Sequence, residues 1–92
     1  MDGLTIGRNV HYVLKGNEWE ILPEFENPIG RHRLAFVIDV LDIEVGAVWL
    51  RVLCSPRDGF VAGGKYVIEL LISANYSDAK EPGTWHWPEY VK

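Results

Sequence analysis

A chain of 92 residues that is 48% hydrophobic can bury the core of one small β domain, residues 1–92, and does not read as disordered. Nine Lys and Arg against thirteen Asp and Glu leave a net charge of −4, which argues against general nucleic-acid binding, because gripping phosphates needs a basic face. Cys54 is alone, so no intrachain disulfide forms, and neither a signal peptide nor an apolar run of the ~20 residues that span a membrane is evident.

Four segments alternate with the period of a β-strand. Residues 8–14 set Val10, Tyr12 and Leu14 against Asn9, His11 and Val13. Residues 33–41 set Leu34, Phe36, Ile38 and Val40 against Arg33, Ala35, Val37 and Asp39, and 41–46 can carry that strand into a turn. Residues 47–54 set Val48, Leu50, Val52 and Cys54 against Ala47, Trp49, Arg51 and Leu53. Residues 65–73 set Tyr66, Ile68, Leu70 and Ile72 against Lys65, Val67, Glu69 and Leu71. Asn27-Pro28-Ile29-Gly30, Ser55-Pro56-Arg57-Asp58-Gly59 and Ala62-Gly63-Gly64 punctuate these runs, and no window shows a helical stripe between capping signals. The expected fold is all-β: a small antiparallel barrel or rolled meander, SH3-like, with a C-terminal aromatic tail. Phe36, Ile38, Leu50, Val52, Ile68 and Leu70 are its expected core.

The opposite face of the middle strands is apolar as well, through Ala35, Val37, Leu41, Trp49, Leu53, Val67 and Leu71. A half-buried antiparallel sheet alternates apolar and polar residues, so something covers this face: the 15–32 arm, the tail, or another copy of the chain. The favoured expectation is a homo-oligomer.

The segments able to carry chemistry are few. Residues 15–26 cluster Glu18, Glu20, Glu24 and Glu26 around Trp19, Ile21, Leu22 and Phe25, either a solvated insertion or an acidic-aromatic lip. Basic groups gather at Arg8 and at Arg31-His32-Arg33, and the forked guanidinium suits phosphate. Pro82-Gly83 reads as a type II turn, and Trp85-His86-Trp87 after it supplies π-faces beside an imidazole. The candidate ligand-binding residues are therefore Arg8, His11, Tyr12, Arg31, His32, Arg33, Trp85, His86 and Trp87. The competing reading makes Trp85 and Trp87 a plug for the barrel end, with the arginines paired to carboxylates. No nucleophile elbow, phosphate loop or Cys-His signature occurs, so no catalytic residue, no enzyme activity and no cofactor is expected. His11, His32 and His86 lie in three separate segments without close ligand spacing, so no metal site is expected either.

Gly7-Arg8-Asn9-Val10-His11-Tyr12-Val13, Gly30-Arg31-His32-Arg33-Leu34-Ala35 and Pro82-Gly83-Thr84-Trp85-His86-Trp87-Pro88-Glu89 resemble the motifs of a family of small proteins encoded by tailed bacteriophages. That family typically opens with Gly-Arg-x-Val-His-Tyr-Val, continues with Gly-x-His-Arg-Pro-Ala and finishes on Thr-Trp-His-Trp-Pro-Glu. This chain departs from it at Leu34, where proline is usual, in the less polar segment from Val48 to Asp58, and in its longer 15–29 arm. The resemblance brings no activity with it. It implies phage origin and expression in the host bacterial cytoplasm. By analogy with small phage sponges, a non-enzymatic module that sequesters a nucleotide-derived immune signal fits these residues. The alternative is a structural or protein-interaction component acting through an aromatic surface.

Overall fold

The computed structural model describes residues 1–88. Glu89 of the terminal motif lies outside the described residues. Five strands close a barrel in the order β1 (Asn9–Val13), β2 (His32–Asp42), β3 (Ala47–Leu53), β6 (Glu69–Tyr76) and β7 (Thr84–His86), with β7 returning to β1. The short strands β4 (Val61–Ala62) and β5 (Lys65–Tyr66) form a separate hairpin. The all-β barrel expected from the alternation is present. One seam departs from the antiparallel pattern, since β6 and β7 pair in parallel through Asn75–Thr84 and Tyr76–Trp85.

The tail closes the barrel. Pro82-Gly83 occupies the centre of a turn in which the Thr84 amide donates to the Glu81 carbonyl at 3.2 Å, with Gly83 at φ 85°. That is the type II geometry that proline and glycine at these positions favour. The turn lays Thr84–His86 between β1 and β6, and Pro88 cannot extend the ladder.

Val10, Tyr12 and Leu14 point inward, as do Val48, Leu50 and Val52, and all six are fully buried. On β2 the inward set is Ala35 and Val37, not Leu34, Phe36 and Ile38. Both faces of β2 are apolar, so alternation alone does not choose between them, and a one-residue slip exchanges the faces. The neighbouring strands choose: Ala35 stands opposite Val10 and Val52, and Val37 opposite Leu50. Register shifts between Val37 and Asp39 and between Val40 and Asp42 then turn the far half of the strand, so Val40 packs on the core beside Val48. Phe36 is only half-buried and Ile38 is exposed.

The expected strand 65–73 is two strands. Gly63 and Gly64, at φ 57° and 78°, make the tight β4–β5 turn, which needs two residues in the left-handed region. Lys65–Tyr66 belongs to that hairpin, Ile68 is exposed, and the barrel strand starts at Glu69 with Leu70 inward. Among the described residues the long connection after Leu14 folds under one end of the barrel. Glu18 accepts from the Tyr12 hydroxyl at 2.7 Å and from the Lys15 and Gly16 amides, and Ile21 bridges to Phe60. Burial, followed by that bond to Glu18, pushes the Tyr12 phenol well above its usual range.

Candidate functional site

The alternation that makes β7 a strand divides the tail motif between two faces. Trp85 points inward, is fully buried, and donates its indole N–H to the Gly46 carbonyl at 2.7 Å. Its ring meets Tyr76 and Trp87 edge-on, each at 5.0 Å. His86, one residue on, points out of the barrel wall. In register, Tyr12 faces Trp85 and His11 faces His86 across the β1–β7 seam. Val13 faces His32 across the β1–β2 seam. Outward positions on three adjacent strands thereby bring three histidines, all that the chain has, to one place.

Their geometry is that of a cluster. The ring centroid of His86 lies 5.6 Å from that of His11 and 4.8 Å from that of His32, both edge-on. One ring nitrogen of each lies within 4.8 Å of the others. His32 is exposed, His11 half-buried and His86 only 2% exposed. Among the described residues neither nitrogen of His86 finds a hydrogen-bond partner. A buried polar group in that state is costly, by about 1–3 kcal/mol, and calls for an explanation. Burial, reinforced by His32, His11 and Lys80, holds the His86 imidazole down at about 4. Burial and then His32 lower that of His11. At neutral pH both rings are therefore neutral, each offering one N–H donor and one lone pair.

The other sequence candidates separate from this cluster. Tyr12 and Trp85 are core residues whose faces no ligand can reach, which corrects their assignment as stacking walls. They act instead as the inward anchors that fix the register of His11 and His86. Arg31 and Arg33 flank His32 and turn to Asp58, the carboxylate pairing that the competing reading gave them. Arg33 Nε donates to Asp58 at 2.7 Å, Arg33 Nη2 donates to its other oxygen, and Arg31 Nη1 donates at 3.1 Å. Trp87 packs on Trp85 at the barrel end, with the Arg8 guanidinium over its ring at 5.3 Å. Gly7, Arg8, Asn9 and Pro88 line a shallow open depression there.

Asp58 is the buried counter-ion that the turn reading of 55–59 passes over. It is fully buried at the end of a single 3-10 turn, Pro56–Asp58, capped by Ser55. Burial alone would raise its pKa, but the Arg33 fork, the Ser55 amide at 3.0 Å and Arg31 outweigh that and hold it below the usual carboxylate range. The signal lay in Ser55-x-x-Asp58, a capping pattern with a carboxylate at its third position. Cys54, which follows β3, packs against the core, and burial and then Asp58 push its thiol up to about 12.

No family model, curated protein or solved structure matches the chain. The functional reading therefore rests on the site itself.

Proposed function

We propose that this protein is a non-enzymatic binding module that captures a small anionic, nucleotide-like ligand at His11, His32 and His86. In keeping with the resemblance to phage proteins, it acts as a sponge for a nucleotide-derived immune signal in the host cytoplasm. The observation that carries this reading is the convergence of three imidazoles on a buried His86 that has no hydrogen-bond partner among the described residues. A rigid barrel holds all three, so little ordering entropy is spent on capture. Arg8 and Trp87 offer a cation and a partly exposed ring at the adjoining barrel end.

The test is calorimetric titration with cyclic di- and trinucleotides, cyclic ADP-ribose and ADP-ribose. One of these should bind, and His32→Ala, at an exposed position, should weaken it about tenfold or more while the fold stays intact. The absence of heat with every member of the panel would end the sponge reading.

A second reading is supported by the outer face of β2, β3 and β6. Leu34, Ile38, Trp49 and Leu71 are 41%, 41%, 37% and 65% exposed around the Arg51–Glu69 ion pair. Such a patch suits a protein surface, including a second copy of this chain. Ala35 and Val37, expected on this face, are in the core instead, and Leu34 and Ile38 stand exposed on it.

A further inference from the structure

We infer that the imidazole triad is a coordination site for a divalent first-row transition metal, with zinc the best fit. His11, His32 and His86 supply three nitrogen ligands and leave the remaining positions open. The inference shares with the capture reading only the location of the site, and it stands without any nucleotide.

Three observations carry it. The first is the donor set. Three neutral imidazoles without a carboxylate suit zinc, copper(II) or nickel(II) and do not suit magnesium or calcium, which take oxygen ligands. The second is the spacing. Zinc–nitrogen bonds of about 2.0–2.1 Å in a tetrahedron put the nitrogens about 3.3 Å apart. Ligand atoms already within 4.8 Å of one another need only small side-chain rotations to close around an ion. His11 and His32 can supply that motion, since neither is fully buried.

The third observation is His86 itself. It is fixed on the strand that closes the barrel, buried, and without a partner for either nitrogen among the described residues. A hydrogen-bonded core histidine would show a donor or an acceptor at one nitrogen. A metal ion supplies what this one lacks, an electron-pair acceptor for a buried ring nitrogen. Three protein ligands with an open position mark sites where zinc receives an exogenous group, whereas closed structural sites use four. The side of the site facing solvent, where His32 stands exposed, is where a water or an anionic oxygen would enter.

The experiment uses the full chain, freed of any polyhistidine tag and stripped with chelator, at pH 7.5. Zinc is titrated by calorimetry and cobalt(II) by visible absorption. One zinc per chain with micromolar or tighter affinity is expected, together with the cobalt d–d bands of a four- or five-coordinate site. His32→Ala and His11→Ala should each weaken zinc at least tenfold. Both positions are solvent-accessible, so these variants remain informative even where His86→Ala fails to fold. No zinc binding by the wild-type chain overturns the inference, and so does zinc binding that both variants leave unchanged. Running the nucleotide panel on the zinc-loaded and stripped protein separates the two readings. Zinc bound with no nucleotide bound upholds the metal site and ends the sponge. A nucleotide bound by a chain that takes no zinc does the reverse.

Discussion

Replacing Asp58 by asparagine should be among the most damaging changes of a few atoms in this protein. The carboxylate has no solvent exposure and accepts from Arg33 twice, from Arg31 and from the Ser55 amide. The amide cannot accept from all of these donors and leaves two guanidinium groups facing a neutral side chain. Breaking a buried pair by removing one partner costs about 3–5 kcal/mol. The side chains of Arg33 and Arg31 are 24% and 35% exposed, and water tempers the loss, so about 3 kcal/mol is expected. That is a large share of the roughly 5–15 kcal/mol that holds a domain together. With a urea m-value of about 1–3 kcal/mol per molar, the unfolding midpoint should fall by about 1–3 M, read by circular dichroism. Arg33→Ala should behave as a stability variant too, and the two together should cost clearly less than their sum. Strict additivity, or a midpoint unchanged by Asp58→Asn, would refute the network and return Arg31 and Arg33 to the list of free ligand-binding cations.

The folded protein should lose stability as pH falls from about 6.5 towards 4. His86 binds its proton near 6.5 when unfolded but only near 4 when folded, so its contribution is complete above the higher value and lost on approaching the lower. The loss is on the order of 3 kcal/mol, read as urea midpoints across that range, and His86→Gln should flatten the profile. Trp85→Phe keeps the ring but leaves the Gly46 carbonyl unpaired, and should cost about 2–4 kcal/mol in the same assay. Gly46→Ala should prevent proper closure, because at φ 68° its Cβ would stand 2.6 Å from Tyr76 Cβ; a melting temperature within a degree of wild type would contradict that. Sedimentation should show self-association that Leu71→Glu abolishes without unfolding the chain, and a monomeric wild type would remove the outer sheet face as an interface.

Strand type was legible because β-branched and aromatic residues alternate in clear runs. The inward face was legible only where one face is polar or small, as in β1 with Asn9 and His11 opposite Val10 and Tyr12. On β2 both faces are apolar, and the choice between Leu34–Phe36–Ile38 and Ala35–Val37 depends on neighbours distant in sequence and on the register shifts after Val37. The tail was readable as either a clamp or a site wall. Period two divides it between two faces, since Trp85 clamps inward and His86 turns to the histidine cluster. The histidine cluster was hidden for the same reason. Its members lie 21 and 54 residues apart along the chain, and only the strand order β7–β1–β2 makes them neighbours. Arg31 and Arg33 looked available because Asp58 sits in a loop motif whose sequence marks a turn and not a buried counter-ion.

Histidine-selective NMR of the imidazole nitrogens tests the central claim most directly, because every histidine in the chain belongs to the proposed site. Zinc, and in a separate titration each nucleotide of the panel, is added at pH 7.5 while the imidazole resonances of His11, His32 and His86 are followed. A ligand of this site moves or broadens all three along one saturation curve. Saturable binding by calorimetry with the three imidazoles unmoved would place the ligand elsewhere, and a site built on the triad would be wrong.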